Sequence, residues 1–437
     1  MSVRKGKKVD VVTLGCSKNL VDSEFLIRQF KANGIAVAHD PETPEGEVAI
    51  INTCGFIADA KEESIDTILA FAEAKKRGDI KQLYVMGCLS ERYPGQLKSE
   101  LPEVDKFYGK FDWKDIVSEI GATYRRDLMN ERSLTTPNHY AYLKISEGCN
   151  RTCSYCAIPI ITGKHVSRPM DDLLDEARRL RDTGVKELQV IAQDLSFYGY
   201  DLYKRYKLPH LVDELAKIDG IDWIRLHYAY PAGFPMDVLK VMNDNPKVCN
   251  YLDIALQHIS DPMLERMRRG VRKNQTYRLI EEMRKQVPDI HLRTTFITGH
   301  PGETEQDFSE LEQFVRDARF ERLGVFPYSH EDDTYAHKKY QDDVPDELKQ
   351  ERAERIMEIQ NSIAKEINAE KVGKTLKVMI DREEGDYFIG RTEYDSPEVD
   401  QEVLLHKDEN EALTPGDFYP VEITGSEDYD LFGIARK

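Results

Sequence analysis

Three cysteines stand within eight residues in the sequence Cys149-Asn-Arg-Thr-Cys153-Ser-Tyr-Cys156. Their thiolates could converge on one metal centre, but the spacing differs from the paired C-x-x-C motifs of structural zinc sites. The motif also lacks the fourth cysteine that completes a ferredoxin-type cluster. A 4Fe–4S cluster with three protein ligands leaves one iron open to a small molecule, as a catalytic zinc keeps an open position. The motif therefore predicts chemistry at a cluster, and the alternative is three unrelated buried thiols.

This loop resembles the C-x-x-x-C-x-x-C loop of the radical S-adenosylmethionine superfamily. The resemblance implies that the open iron binds the amino and carboxylate groups of S-adenosylmethionine. It also implies that one-electron reduction then cleaves the sulfonium and yields a 5′-deoxyadenosyl radical.

Composition indicates an ordinary globular protein. The chain of 437 residues is long enough for two to four domains, and it is 40% hydrophobic and 32% charged. No apolar run reaches the length of about 18 residues that a membrane helix needs. The basic start, residues 1–8, leads into no apolar signal-peptide core. We therefore expect a cytoplasmic protein with no membrane association, whose seven cysteines are metal ligands or thiols rather than disulfides.

The formal net charge is −18. Proteins that bind nucleic acids usually gain affinity from Lys and Arg side chains that neutralise phosphates. The acidic balance therefore disfavours a nucleic-acid substrate and fits a basic partner. The alternative is that the net charge serves only solubility.

Strands and helices alternate in the first section, residues 8–127, and predict a parallel α/β sheet. The predicted strands are Val9–Leu14, Glu47–Asn52 and Gln82–Met86, and the predicted helices are Leu20–Asn33, Ala58–Arg77 and Glu91–Leu101. A cysteine follows each strand, at positions Cys16, Cys54 and Cys88. Because sites form beyond the carboxyl ends of parallel strands, these residues predict a second three-thiolate site. The alternative is three small residues in tight turns.

The second section, residues 138–369, predicts a partial TIM-type barrel with its chemistry at the carboxyl ends of the strands. The predicted strands are Tyr142–Ile145, Glu187–Ala192, Trp223–His227, Leu252–Leu256, Leu292–Thr298 and Arg322–Tyr328. Glu331–Ala336 and Lys338–Val344 read as loop, and Asp346–Ala369 reads as a helix with an isoleucine stripe. Cys249 belongs to neither cysteine triad, and we predict a buried free thiol.

The third section, residues 371–437, predicts a small five-stranded antiparallel β-barrel. The predicted strands are Thr375–Ile380, Tyr387–Thr392, Glu402–His406, Phe418–Ser426 and Leu431–Ala435. This section has 8 basic and 17 acidic residues, a net charge of −9. Oligonucleotide-binding barrels usually carry a basic face, and this one lacks it.

The two cysteine triads, the barrel and the small β-barrel together resemble the methylthiotransferases. These are radical S-adenosylmethionine enzymes with an extra N-terminal cluster and a C-terminal TRAM domain. The resemblance implies two 4Fe–4S clusters: an auxiliary cluster on Cys16, Cys54 and Cys88 that handles sulfur, and a radical-generating cluster on the second triad. It implies that the enzyme methylates sulfur, abstracts a hydrogen from carbon and installs a methylthio group, with an electron donor such as flavodoxin or ferredoxin.

Further motifs resemble the branch of this family that modifies an aspartate of the small-subunit ribosomal protein S-twelve. They are Gly15-Cys-Ser-Lys-Asn-Leu-Val-Asp-Ser-Glu24, Asn52-Thr-Cys-Gly-Phe56, Gly87-Cys-Leu-Ser-Glu-Arg-Tyr93 and the run from Gly390 to Asp400. The tRNA branch typically has Gln-Met-Asn where this chain has Ser17-Lys18-Asn19. An acidic terminal barrel suits a basic ribosomal protein, free or in the ribosomal subunit, and suits tRNA poorly. The alternatives are a tRNA adenosine methylthiotransferase and a non-catalytic cluster carrier or redox sensor.

The resemblance also implies cofactor-binding positions, with ordinary core packing, backbone-satisfied polar groups or a surface ion pair as alternatives. Tyr155 would pack near the adenine of S-adenosylmethionine, and Gln193-Asp194 would lie near its methionyl amino group. The other positions are Gln257, Arg293, Gly299 and Gly302. The sequence departs from many relatives at Thr162 and His300, which puts local pocket contacts in doubt.

Overall fold

The computed structural model describes residues 8–410 and 413–436. Most of the basic start of the chain, residues 1–7, therefore lies outside the described part, as do positions 411, 412 and 437 of the third section. Within the described ranges, no helix is long and apolar enough to cross a membrane.

The first domain is a five-stranded parallel sheet in the order β2-β1-β3-β4-β5, with an apolar core on each face. The predicted parallel α/β sheet is thus confirmed. Two short strands and the last helix were not predicted. The strands are β1 (Lys8–Thr13), β2 (Ala36–His39), β3 (Val48–Thr53), β4 (Gln82–Gly87) and β5 (Lys106–Phe107), and the helices are α1 (Ser17–Ala32), α2 (Ala58–Arg77), α3 (Cys88–Arg92), α4 (Pro94–Glu100) and α5 (Trp113–Glu119).

The predicted helix Glu91–Leu101 is wrong as one element, because the structure divides it into α3 and α4. The break falls at Tyr93, whose backbone has φ −128° and ψ 46°. Pro94 follows, and a proline disfavours helical backbone at the residue before it while fitting the first turn of a new helix.

The second domain is a sheet of six parallel strands in the order β13-β12-β11-β10-β9-β6. Its two edge strands do not pair with each other, so the barrel is partial, as predicted. A small two-stranded sheet, β7–β8, flanks the cysteine loop. The strands are β6 (Tyr140–Lys144), β7 (Ser146–Glu147), β8 (Val166–Ser167), β9 (Glu187–Ile191), β10 (Trp223–Ala229), β11 (Val248–Ile254), β12 (His291–Thr298) and β13 (Arg322–Pro327).

The helices of this domain are α6 (Ile158–Ile161), α7 (Met170–Asp182), α8 (Tyr200–Tyr203), α9 (Leu208–Ala216), α10 (Asp237–Asp244), α11 (Asp261–Arg266), α12 (Lys273–Gln286), α13 (Glu305–Ala318), α14 (Tyr335–Lys339) and α15 (Asp346–Ala369). Of these, α7, α9, α10, α12, α13 and α15 bury one large apolar core against the sheet. The predicted helix Asp346–Ala369 and the core role of its isoleucine stripe are confirmed. The loop prediction is wrong at α14, where the Thr334 side chain accepts a hydrogen bond from the His337 backbone N–H and caps a short helix. Cys249 is a fully buried free thiol, as predicted.

The third domain is a closed barrel in the order β14-β15-β16-β18-β17. Its strands are β14 (Thr375–Glu384), β15 (Tyr387–Thr392), β16 (Val403–His406), β17 (Phe418–Ser426) and β18 (Leu431–Ala435). The barrel is confirmed, but the prediction that it is antiparallel throughout needs one correction, because β16 and β18 pair in parallel. Strand directions cannot alternate all the way around a closed ring of five, so at least one adjacent pair must be parallel.

The third domain packs against the amino-terminal ends of the second domain's strands through buried ion pairs. Arg391 contacts Glu187 at 2.6 Å, and both side chains are buried. Arg322 pairs with Asp395, and the ring of Phe418 lies 4.7 Å from that of Trp223. These contacts fix the third domain to the second through pairs of opposite charge, one with its acidic residue in each domain.

Candidate metal centre and active site

The first cysteine triad forms where three neighbouring strands end. Strands β1, β3 and β4 are adjacent and in register, with Thr13 opposite Asn52 and Thr53 opposite Gly87. Cys16 stands at the N-terminus of α1 and is exposed, while Cys54 follows β3 and Cys88 begins α3. The thiols act on one another electrostatically, since Cys16 and Cys54 both raise the pKa of Cys88 after the larger effect of burial. The structure thus brings together the three cysteines that the sequence places at strand ends.

Asn19 supports this triad, and sequence reasoning did not single it out. Its amide Nδ2 donates hydrogen bonds to the carbonyl oxygens of Leu14 and Thr53, both at 3.0 Å. Its Oδ1 accepts from the thiol of Cys88 at 3.6 Å. One buried side chain therefore connects the loops that carry all three cysteines.

The second triad lies on a loop that follows β7 and is fixed by backbone hydrogen bonds. The Cys149 N–H donates to the Gly163 carbonyl at 3.1 Å, and the Cys156 N–H donates to the Cys153 carbonyl at 3.2 Å. Gly148 begins the loop with φ +74°, and a Cβ there would stand 2.2 Å from the Lys164 carbonyl oxygen. Glycine is therefore required at this close approach of two backbone segments.

Arg269 is a second residue that the sequence analysis missed. The residue is 2% exposed, and its guanidinium donates to the Cys153 sulfur at 3.3 Å and to the Tyr155 hydroxyl at 3.1 Å. Tyr230 contributes a hydroxyl 3.8 Å from the same sulfur. A buried cation next to a thiolate stabilises the negative charge of a thiolate-bound centre. Arg269 has no fixed spacing to the cysteines, so only the tertiary structure reveals it.

The donor sets suit iron–sulfur clusters better than a single ion. Four ligand atoms around one zinc, each about 2.3 Å from the metal, lie within about 4 Å of one another. In the described part of the chain, only His210, Asp213 and Glu214 bring three candidate ligand atoms within 4.8 Å, and these are surface residues. In neither cysteine triad do all three sulfur atoms lie within 4.8 Å of one another. This wider spacing suits a cluster, in which each sulfur binds a different iron. Burial raises the pKa of Cys54 to about 11 and that of Cys149 to about 12, so a bound metal must displace the protons.

Cys88 of the first triad packs against the segment that follows the second triad, at the interface between the first two domains. Cys88 packs in a small apolar cluster with Ala157 and Ile161, and Ala157 directly follows Cys156 in the chain. Beside this contact, Lys144 pairs with Asp22 of α1 and, at 2.9 Å, with Glu147. Lys110 lies 3.3 Å from Glu147. Buried charges from both domains thus line the space next to the triads.

Three family profiles match this chain. The Radical SAM superfamily matches residues 143–315, the Uncharacterized protein family UPF0004 matches residues 8–109, and the TRAM domain matches residues 372–435. Curated relatives extend over nearly the whole chain. The ribosomal protein uS12 methylthiotransferase RimO of Bacteroides thetaiotaomicron is 61% identical over 98% of this chain and 98% of its own length. RimO of Porphyromonas gingivalis is 61% identical over 97% of this chain and 98% of its own length. RimO of Christiangramia forsetii is 54% identical over 98% of this chain and 94% of its own length.

The chain belongs to the RimO family. It is therefore a radical S-adenosylmethionine methylthiotransferase, and the identification favours the ribosomal-protein branch over the tRNA branch.

More distant solved structures share the fold of this RimO family member. TsrM from Kitasatospora setae, with tryptophan and a SAM analog bound, has a TM-score of 0.54 at 13% identity, covering 87% of this chain and 79% of its own. The cobalamin-dependent S-adenosylmethionine radical enzyme OxsB has a TM-score of 0.52 at 13% identity, covering 81% and 56%. At this identity, the likeness concerns architecture alone.

In this RimO family chain, some predicted cofactor residues have unsatisfied polar atoms near the strand ends. The Oε1 atoms of Gln193 and Gln257 are buried and have no hydrogen-bond partner in the described chain. Gln257 also has φ +72°, which is rare for a residue other than glycine and typical of functional sites. Asp194 is occupied, because it pairs with Arg151 at 2.7 Å and caps a short turn. Tyr155 lies within the cysteine loop and is held by Arg269.

The remaining predicted positions have other structural partners. Arg293 lies within β12, not at its end, and its Nε donates to Asp400 of the third domain at 3.3 Å. A Cβ on Gly299 would stand 2.2 Å from the Lys349 side chain, and one on Gly302 would stand 2.8 Å from Arg266. Protein packing therefore accounts for these residues, and a cofactor contact at any of them stays a prediction. The two positions at which the sequence departs from many relatives also have protein partners. The Thr162 hydroxyl donates a hydrogen bond to the Ile158 carbonyl, and the His300 Nε2 lies 3.1 Å from the Ser154 hydroxyl.

The sequence analysis also missed the polar interior of the barrel. Buried polar side chains recur at alternate positions of neighbouring strands, with Arg225 pairing with Glu187 at 2.9 Å and His227 contacting Gln189 at 2.6 Å. Alternate positions of a strand share one face. The alternation is visible in Glu187-Leu-Gln189 and Arg225-Leu-His227, and it could have indicated a polar lumen.

Proposed function

We propose that this protein transfers a methylthio group to the β-carbon of one aspartate of ribosomal protein uS12, with two 4Fe–4S clusters and S-adenosylmethionine as cofactors. The observation that carries the proposal is the packing of Cys88, a member of the first triad, against Ala157, the residue after Cys156 of the second triad. Sulfur insertion requires a sulfur-handling site and a radical-generating site that act on the same carbon, and this packing supports a pairing of the two candidate sites.

In this proposal, each domain has one task. Residues 8–127 hold the auxiliary cluster on Cys16, Cys54 and Cys88. Residues 138–369 hold the radical-generating cluster on the triad of Cys149, Cys153 and Cys156, and residues 371–437 form the TRAM domain. When bound, the second cluster supplies the electron that cleaves S-adenosylmethionine, and the first handles the sulfur.

The surrounding side chains orient the cofactor and exclude water. Gln193 and Gln257 each offer a buried carbonyl oxygen without a hydrogen-bond partner in the described chain, which suits an ammonium or hydroxyl donor of S-adenosylmethionine. Tyr155, held by Arg269, supplies an aromatic face beside the cysteine loop. These groups are positioned before the cofactor binds, so little reorganisation is needed during the reaction.

The chemistry of the target supports a radical route. The β-carbon of an aspartate has a strong C–H bond and no readily acidic proton, so a side-chain base could not easily activate it. Abstraction of a hydrogen atom avoids that difficulty, which is why an enzyme for this substrate needs the radical-generating triad.

Charge supports a basic protein partner and an external electron donor. Several acidic residues of the TRAM domain are exposed in the folded chain, where this domain packs against the second domain: Glu383, Glu384, Asp386, Asp408 and Glu409. Such a surface favours encounter with a basic ribosomal protein, free or in the subunit, and disfavours tRNA.

We further propose a flavodoxin or ferredoxin as reductant and a cytoplasmic location.

The proposal is tested by anaerobic reconstitution with iron and sulfide, followed by reaction with S-adenosylmethionine, dithionite and purified uS12. We expect 5′-deoxyadenosine to form and the aspartate-bearing peptide of uS12 to gain the mass of a methylthio group. A strain lacking this chain should yield uS12 without the modification. If uS12 from that strain still carries the methylthio group, the substrate assignment is wrong.

A further inference from the structure

Lys18 extends from the first domain into the barrel of the second. It is the second residue of α1, and only 8% of the residue is exposed. Its Nζ lies 3.0 Å from the centroid of the Tyr228 ring, on β10. The contact crosses the domain interface beside the triads, so the ammonium group lies inside the candidate active site.

The two other buried lysines at this interface are paired with carboxylates, and Lys18 is not. Lys110 lies 3.3 Å from Glu147, and Lys144 lies 2.9 Å from the same residue. In the part of the chain that the structure describes, no carboxylate lies within 4.0 Å of the Lys18 ammonium, and the Tyr228 ring is its one recorded side-chain contact. An aromatic face offsets about 2 kcal/mol of a buried cation's desolvation, whereas full burial of an ion costs several. The Lys18 ammonium is therefore suited to bind an anionic group.

Asp253, a carboxyl group on which Lys18 acts electrostatically, is engaged by other partners. Its Oδ2 accepts a hydrogen bond from the Tyr228 N–H at 3.3 Å and lies 4.0 Å from the Arg293 guanidinium. Burial raises the pKa of Asp253 above its ordinary value, although Arg293 and Lys18 both act to lower it. Asp253 is not within 4.0 Å of the Lys18 ammonium and therefore forms no ion pair with it.

The backbone of Tyr228 is strained in a way that places its ring against the lysine. Its φ is +65°, which is uncommon for a residue with a Cβ, and the pairing register of β10 and β11 shifts at this point. Such outliers persist only where the surrounding structure holds them, and they cluster at functional sites.

The contact between Lys18 and Tyr228 lies between the two triads. On one side, Lys18 is two residues from Cys16, and its neighbour Asn19 bonds to the Cys88 thiol at 3.6 Å. On the other side, Tyr230 is two residues from Tyr228 and lies 3.8 Å from the Cys153 sulfur. A carbon that receives a sulfur from one site after losing a hydrogen to the other must lie in this region.

We propose that Lys18 binds the side-chain carboxylate of the substrate aspartate and thereby positions its β-carbon between the two triads. This inference rests on the function proposed above and adds the residue that distinguishes aspartate from its uncharged analogues. The carboxylate carbon is bonded directly to the β-carbon. An ion pair between the carboxylate and Lys18 therefore restricts the position of the reacting β-carbon. Lys18 acts here as a positioning and specificity residue.

The test compares binding of fluorescein-labelled uS12 peptides with Asp, Asn or Ala at the target position to the reconstituted holoenzyme. A charge-assisted contact predicts that wild-type enzyme binds the Asp peptide about 10-fold to 100-fold more tightly than the Asn peptide, which is about 1.4–2.8 kcal/mol. Lys18→Met should remove this preference by weakening only the Asp peptide, and Lys18→Arg should restore part of it. Lys31→Met, at an exposed lysine in the last turn of the same helix, should bind as wild type does.

Several outcomes would overturn the inference. It fails if wild-type enzyme binds the Asn peptide as tightly as the Asp peptide, a comparison that needs no variant to fold. It also fails if Lys18→Met keeps full iron content and the wild-type preference for Asp. If wild-type enzyme forms 5′-deoxyadenosine but never modifies uS12, the proposed function itself fails. If wild-type enzyme modifies uS12 but Lys18→Met keeps the preference for the Asp peptide over the Asn peptide, only the role of Lys18 fails.

Discussion

Gly15 and Cys54 lie so close that a methyl group on Gly15 would stand 2.6 Å from the Cβ and 2.8 Å from the sulfur of Cys54. Gly15 has φ +86°, a conformation that residues with a Cβ rarely adopt. The residue before Cys16 is thus in contact with the next cysteine of the same triad. The absence of a side chain at position 15 leaves room for the first metal centre.

Gly15→Ala should therefore prevent assembly of the auxiliary cluster. The backbone strain of about 1–2 kcal/mol is accompanied by a steric clash with Cys54, a proposed cluster ligand. We expect iron content after anaerobic reconstitution to fall from about eight to about four atoms per chain, with loss of methylthiolation. Gly78→Ala is a matched control, because Gly78 has φ +87° and open space around it, so its iron content should be unchanged. Equal iron contents in the two variants would contradict this role for Gly15.

The two triads should be separable by mutation. Cys16→Ala is expected to abolish methylthiolation of uS12 and to retain cleavage of S-adenosylmethionine, because the second triad is intact. Cys153→Ala is expected to abolish both activities, with iron retained on the first triad. Quantification of 5′-deoxyadenosine and modified peptide by mass spectrometry measures both. Loss of cofactor cleavage in Cys16→Ala, with the second cluster present, would indicate one shared site.

Arg269 should tune the radical-generating cluster. Its guanidinium donates to the Cys153 sulfur at 3.3 Å and stabilises added negative charge there. Arg269→Met should lower the reduction potential of that cluster and reduce the rate of cofactor cleavage by about 10-fold or more. A redox titration followed by electron paramagnetic resonance measures the potential directly.

Arg268→Met provides the matched control for that experiment. Arg268 is the exposed neighbour of Arg269, with its guanidinium over the Tyr335 ring, so the substitution makes the same change in charge away from the cysteines. We expect the potential of this variant to match that of the wild type. Identical potentials in both variants and the wild type would show that Arg269 does not act on the cluster.

Attachment of the third domain should weaken in acid. Burial alone would raise the pKa of Asp395, but Arg322 and Lys371 lower it from 3.8 to about 2. A carboxyl group with a depressed folded-state pKa stabilises the protein above its unfolded value, and this stabilisation is lost as the pH falls from about 4 to about 2. The shift corresponds to about 2 kcal/mol.

Asp395→Asn tests this pH dependence. At pH 7 it should lower the free energy of unfolding by about 3–5 kcal/mol, because it leaves the buried Arg322 without its partner. The difference from wild type should shrink below pH 4, as thermal unfolding midpoints would report. Asp428→Asn, at an exposed pair with Lys365, should change little at any pH. A constant difference between wild type and Asp395→Asn from pH 7 to pH 2 would refute the assignment.

The elements of the fold were largely predictable, because local periodicity specifies them. The helices Ala58–Arg77 and Asp346–Ala369 have the predicted bounds, and the strands that form the barrel lie where their apolar runs indicate. Short elements such as β2 and β5 were missed because a few residues at a sheet edge carry little pattern. The division of the predicted helix Glu91–Leu101 at Tyr93 is indicated in the sequence by Pro94.

The candidate site was predictable where its chemistry depends on spacing. Cys149, Cys153 and Cys156 form one motif, and Cys16, Cys54 and Cys88 follow strands whose carboxyl ends share one edge of a parallel sheet. The sequence alone therefore predicted two cysteine triads, and the structure places the first triad at adjacent strand ends and the second on one loop. Cysteines at strand ends or within one short loop can be recognised from the local sequence.

Only the tertiary structure decided which distant groups meet at those triads. Arg269 reaches Cys153 across 116 positions of the chain, and Lys18 reaches Tyr228 across the domain interface. Arg293, predicted from the sequence to bind the cofactor, instead pairs with Asp400 of the third domain. The physical reason is that a charged side chain takes whichever partner the packing of domains places within a few ångströms, and local sequence carries no record of that distance.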